Sequence, residues 1–136
     1  APEARVQELY DAYNRRDWRA VAALLDPCVE WFHAGRHELV PGVEGVVAML
    51  RSTADAFPHA RIELRAVRDA GGAVVAEWNV VNARASMTTD ARRPAIVCEV
   101  LELRGGRIVR ASTYGDILTM LMEFREDYRP PLRSVC

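Results

Sequence analysis

Hydrophobic residues recur at helical spacing in the first part of the chain and at alternate positions in much of the rest, with the change at Pro58. Val6, Leu9, Tyr10 and Tyr13 mark a first amphipathic helix, opened by Pro2 and ending near Arg15 and Arg16. Asp17 is placed to cap a second helix, which turns Trp18, Val21, Leu24 and Leu25 inward and stops at Asp26-Pro27, because proline disfavours helix in the residue before it. Cys28 to His33 alternates as a strand, with Val29, Trp31 and His33 on one face, and Ala34 to Pro41 reads as a loop. Val43, Val46, Val47, Leu50, Ala54 and Phe57 define a third helix.

Beyond Pro58, Ile62, Leu64 and Ala66 alternate with Arg61, Glu63 and Arg65, the pattern of a strand with one solvated face. Ala70-Gly71-Gly72 turns the chain into a strand from Ala73 to Arg84, and Ser86 to Pro94 is a polar loop. Ala95 to Leu103 is a further strand, and Arg104-Gly105-Gly106 turns it into Arg107 to Tyr114. The apolar stretch from Ile117 to Phe124 predicts a short last helix. Strands joined by short turns imply an antiparallel sheet, so the expected class is α+β: one domain spanning residues 1–136, with a curved, cone-shaped sheet and three helices over it. The open end of such a cone is a usual place for a small-molecule site.

Composition removes several alternatives. Half the residues are apolar, 27% are charged and the net charge is -1, as expected for a globular chain with no polyanionic partner. All 18 basic residues are arginine, which excludes lysine Schiff-base chemistry and the lysine-bearing phosphate loop. Cys28, Cys98 and Cys136 have neither the even count of a disulfide framework nor zinc-type spacing. His33, His37 and Glu38 lie on a strand and loop where ligands four apart do not converge, so neither a metal nor another cofactor is expected. The N-terminal segment is charged, and no run reaches membrane-spanning length; the expectation is a cytoplasmic protein with no membrane or nucleic-acid partner.

The order of short motifs resembles the SnoaL-like family of the nuclear transport factor 2-like superfamily. The likeness rests on Tyr13-Asn14-Arg15-Arg16-Asp17-Trp18, Trp31, Gly42-Val43-Glu44-Gly45, Ala56-Phe57-Pro58, Val75-Ala76-Glu77-Trp78, Gly106-Arg107-Ile108-Val109 and Tyr114-Gly115-Asp116. It implies a homodimer packed through the sheet and a cavity for a small apolar, carbonyl-bearing ligand. Polyketide cyclases, ketosteroid isomerases, epoxide hydrolases, dehydratases and members that only bind share this superfamily, so activity has to be argued from the site.

Asp116 matches the acid that serves as base in cyclases of the family, where it takes a proton next to a ketone; an aspartate before an apolar helix is equally a preferred N-cap, and both readings stand. His33 is its expected partner, and Tyr114 is a hydrogen-bond donor to substrate or to Asp116 if alternation from Ile108 holds. Trp31 and Trp78 match lining positions of the family, Asn82 shares the Trp78 face, and Phe57 reads as core. Glu99 stands on an apolar face at the position of the oxyanion-binding acid of ketosteroid isomerases, with pairing to an arginine as the alternative. The isomerase tyrosine falls at Leu9, with Tyr10 and Tyr13 expected to point elsewhere, and Trp78 and Val80 occupy the arginine and aspartate positions of limonene-type epoxide hydrolases. The expected function is proton transfer next to a carbonyl, leading to cyclisation, isomerisation or loss of water; the alternative is a non-catalytic ligand-binding or dimerisation module.

Overall fold

A computed structural model describes residues 1–81 and 95–115. Three helices, α1 (Pro2–Asn14), α2 (Trp18–Ala23) and α3 (Val43–Ala56), pack on a six-stranded sheet. The strands are β1 (Leu25–His33), β2 (Glu38–Pro41), β3 (Arg61–Asp69), β4 (Ala73–Val81), β5 (Ala95–Arg104) and β6 (Arg107–Gly115), in the spatial order β2-β1-β6-β5-β4-β3. The sheet is curved and does not close, which makes the α+β cone expected from the hydrophobic pattern. The expected strand beyond Val81 and the expected last helix lie outside the described residues. Among the described residues no helix is long and apolar enough to cross a membrane.

Pro2 starts α1, where its missing N–H costs nothing, and Asp17 caps α2 by accepting the Ala20 N–H at 3.1 Å. Arg16 adopts a left-handed backbone (φ 60°) between them, an uncommon conformation for a residue with a Cβ. Its guanidinium donates to the carbonyls of Tyr13, Phe57, Pro58 and Ala60 and lies 5.2 Å from the centre of the Tyr13 ring. Beside it the Asn14 amide mimics a strand neighbour: Nδ2 donates to the Ile62 carbonyl and Oδ1 accepts the Ile62 N–H, both at 2.8 Å. The α1–α2 turn is thereby fastened to the start of β3.

Three departures from the expected pattern shape the sheet. The strand β1 begins at Leu25, three residues before the expected start, and runs through Pro27, which sits where pairing with β6 is interrupted between Leu25 and Glu30. A residue without an N–H is tolerated at such a gap in the ladder. The expected loop after His33 contains a 3-10 turn, Ala34–Arg36, and then β2, which pairs back on β1. Finally, β1 and β6 are parallel, whereas every other pairing is antiparallel as expected. The connection through α3 and the three antiparallel pairings from β3 to β6 return the last strand beside the first in the same direction.

A bulge in β6 matters most for the site. Ile108 pairs with Leu103 and Arg110 with Glu102, so Val109 is an extra residue and the alternation slips by one. Ile108, Ala111 and Thr113 are buried on the helix side, in place of the expected series Ile108, Arg110, Ser112, Tyr114. The turn before β6 uses Gly105 and Gly106, both at positive φ, as a two-residue hairpin requires. Between helices and sheet, Val6, Leu9, Val21, Val29, Val46, Val74, Leu101 and Ile108 form the dry core.

Replacing Asn14 with Ala leaves the Ile62 N–H and carbonyl without their partners in a part-buried position. We expect a loss of about 1–3 kcal/mol of unfolding free energy, read from urea denaturation, with Asn14→Asp recovering only the accepting half of the clamp.

Candidate functional site

The concave side of the sheet holds an apolar cavity of about 120 Å³, comparable to the ~150 Å³ that accommodates a benzene ring. Its walls are Leu9, Tyr10 and Tyr13 from α1, Met49, Leu50 and Thr53 from α3, and Trp31, Trp78, Val80, Val97 and Ile62 from the sheet. Phe57, expected to be core, is also part of the lining. Arg36, Thr53 and Arg61 are the lining residues exposed to solvent and so mark the mouth, and Ala60 and Gly115 are half-buried in the lining.

On the wall lies a carboxyl almost out of reach of water: Glu99 is 4% exposed. The pairing with an arginine weighed from sequence does not occur. Instead the Tyr10 hydroxyl donates to Oε1 at 2.6 Å and the Thr113 hydroxyl to Oε2 at 2.5 Å, while the Trp31 indole N–H donates to Thr113 Oγ1 at 2.8 Å. The Trp78 indole lies 5.9 Å, ring to ring, from Tyr10; its N–H is close enough to oppose the rise in Glu99 proton affinity slightly, yet it meets no acceptor in hydrogen-bond geometry. Burial raises the Glu99 pKa, and the hydrogen bonds from Thr113 and Tyr10 offset this only in part. Burial, and then the nearby Glu99 charge, raise the Tyr10 pKa well above its ordinary value, so Tyr10 is a neutral donor at physiological pH.

His33 ends β1 opposite Thr113 of β6 and Glu38 of β2, and it lines the same cavity. Burial, followed by the Arg36 charge, lowers its pKa, and its Nδ1 is buried without a partner. The ring is therefore a neutral imidazole at pH 7, able to take or give a proton. No group of three or more potential metal ligands occurs among the described residues.

Of the residues singled out from sequence, the fold brings His33, Trp31, Trp78 and Glu99 to one cavity. Tyr114 is corrected: the Val109 bulge turns it to the opposite face, where it is 49% exposed and absent from the lining. Asp116 and Asn82 lie outside the described residues. The bulge lies before both residues, so alternation from Ile108 no longer assigns Asp116 to the cavity face; Gly115, the residue before it, lines the cavity. Tyr10 was expected to point away and instead holds Glu99; Thr113 was missed because unbroken alternation puts it outside. One signal for Tyr10 was in the chain: Leu9, Tyr10 and Tyr13 are contiguous on a helical wheel.

The sequence model of the SnoaL-like domain matches residues 6–111, well over half of the chain. The chain belongs to the SnoaL-like family. Solved structures carry the same fold at low identity. The protein TerC, co-crystallised with polyporic acid, is 19% identical with a TM-score of 0.76, over 93% of this chain and all of that one (100%). A nuclear transport factor 2-like protein of unknown function from Burkholderia pseudomallei K96243 is 23% identical (TM-score 0.72, 92% and 98% covered). A Kribbella flavida protein provisionally described as a ketosteroid isomerase is 18% identical (TM-score 0.68, 97% and 83% covered). No curated protein sequence matches this SnoaL-like chain.

A raised folded-state pKa means that the native state holds more protons than the unfolded chain between the ordinary glutamate value and the raised one. Stability due to Glu99 is therefore full below that window and falls as pH rises through it. Glu99→Gln removes this titration. The difference in urea midpoint, native protein minus variant, should decline as pH rises from about 4.3. A difference independent of pH would mean that burial does not raise the Glu99 pKa.

Proposed function

We propose that this SnoaL-like chain is a cofactor-independent enzyme that moves a proton next to a carbonyl on an apolar, secondary-metabolite-like ligand. The observation that carries the reading is the Glu99 carboxyl, buried in an apolar cavity with a phenol donor beside it and a neutral histidine in the same lining. In this proposal Asp116, next in the chain after the lining residue Gly115, takes the proton from the carbon beside the carbonyl. The electron pair moves onto the carbonyl oxygen, which accepts a hydrogen bond from the Glu99–Tyr10 pair; a neutral Glu99 is favoured by its raised pKa. His33 orients the carbonyl or carries the proton onward. The enolate then closes on a second carbonyl whose oxygen takes the proton held by Asp116, takes that proton back at another carbon, or expels a β-hydroxyl that leaves as water with that proton. Trp31 and Trp78 supply flat apolar walls, and Asn82 a polar contact.

The second reading is ligand binding without chemistry. Both Glu99 oxygens already accept hydrogen bonds, as in a purely structural clasp, and TerC was co-crystallised with polyporic acid. Exchange of the α-hydrogens of 2-tetralone in D2O, followed by NMR, separates the two. The enzyme reading expects exchange that Asp116→Asn and Glu99→Gln each slow by about 10²-fold or more. Acceleration that is absent, or equal in all three proteins, supports binding alone.

We also propose a homodimer packed through the sheet. Ile96, Cys98 and Tyr114 share the face of β5 and β6 away from the helices, and Ile96 (46% exposed) and Tyr114 are large apolar groups left open there. Light scattering should give twice the chain mass, and Ile96→Arg should return it to the monomer mass. A monomeric native protein would remove this part of the proposal.

A further inference from the structure

The mouth of the cavity differs in chemistry from its interior. Arg36 and Arg61 are its charged lining residues there, while beyond them the walls are almost wholly apolar as far as the enclosed Glu99. The ion pairs among the described residues join Arg5 to Glu8 and Arg68 to Glu77, so no carboxylate of the described residues pairs with either mouth arginine. Glu38, on the same hairpin as Arg36, lines the adjoining polar groove without pairing with it.

Both arginines stand on constrained backbone. Arg36 ends the 3-10 turn between β1 and β2, followed by His37 in the left-handed region (φ 49°). Arg61 opens β3, flanked by Ala60, whose carbonyl accepts from Arg16, and by Ile62, clamped by Asn14. Arg36 is also near enough to His33 to depress its proton affinity, so its charge is felt inside the cavity. A guanidinium offers paired donors that match a carboxylate, and two of them at the edge of a low-dielectric pocket attract an anion whose apolar body can enter.

We infer that the ligand of this cavity is an amphiphilic carboxylate, whose ring-bearing apolar body enters between Trp31 and Trp78 while its carboxylate stays at the mouth on Arg36 and Arg61. This deepens the proposed function by naming the substrate class, and it rests on the same cavity. The placement also keeps the anion at the solvated mouth, since burying a carboxylate in the apolar interior beside Glu99 without a cation to pair it is disfavoured.

Calorimetric titration with an isosteric pair tests the inference: 3-phenylpropanoate and the neutral 4-phenylbutan-2-one, whose single ring matches the cavity volume. The acid should bind more tightly than the ketone and lose affinity as salt is raised. Arg36→Gln and Arg61→Gln should each weaken the acid about three- to fivefold, and the double variant about tenfold or more, with little change for the ketone. Equal affinities for acid and ketone, an acid affinity indifferent to both substitutions, or no binding of either would overturn the inference. Its failure is distinct from failure of the enzyme reading. Arginine-dependent acid binding without 2-tetralone exchange keeps the inference and removes the chemistry; exchange without a preference for the acid does the reverse.

Discussion

The site of this protein depends on one buried carboxyl having enough hydrogen-bond partners. Glu99 faces inward on β5, where an isolated charge would be prohibitively costly, and it is tolerated because donors from two distant parts of the chain meet it. Tyr10 comes from α1, 89 positions away in sequence, and Thr113 from β6. Their convergence fixes how α1 lies across the sheet, and Trp31 extends the network to β1 through Thr113. Thus a polar chain of four residues crosses a core otherwise built of valine, leucine, isoleucine, alanine and Trp78, and it forms part of the cavity wall.

That network also accounts for the geometry around it. Thr113 reaches Glu99 because the Val109 bulge moves β6 by one position, which simultaneously sends Tyr114 outward. A single extra residue in a strand therefore decides which hydroxyl serves the cavity and which aromatic ring is left on the outer face. At the other end of the cavity the clamps of Asn14 and Arg16 hold the start of β3, so the mouth is bounded by backbone with little freedom to shift. The Glu99–Tyr10–Thr113 cluster at the wall and the pinned start of β3 at the mouth frame the apolar space between them.

Much of the fold was legible because its hydrophobic periods are clear. The helix from Val43 to Ala56 and the strands from Arg61 and Ala95 follow directly from spacing, and Gly105-Gly106 marks its hairpin. The candidate site was legible in its apolar and acidic parts: Trp31, Trp78, His33 and Glu99 were all identified, and all line the cavity. Tyr114 was not readable correctly, because a bulge leaves no mark in composition, and Tyr10 was misjudged because helix rotation depends on what the helix packs against. In sequence Arg61 reads as part of the solvated face of its strand and Arg36 as part of a loop, and only the assembled fold brings both into the cavity lining.

By itself the sequence determined element types, the α+β class and the supply of chemistry: no lysine, few histidines, and acids at a few inward positions. These follow from local rules, since periodicity, proline and glycine act over a few residues. Tertiary structure alone decided that β6 returns parallel to β1, that Glu99 is held by a phenol and a hydroxyl, and that two arginines frame the mouth. Each of these joins residues 14 or more positions apart in sequence, and such partners are selected by packing and by the need to satisfy buried polar groups, which no local pattern encodes.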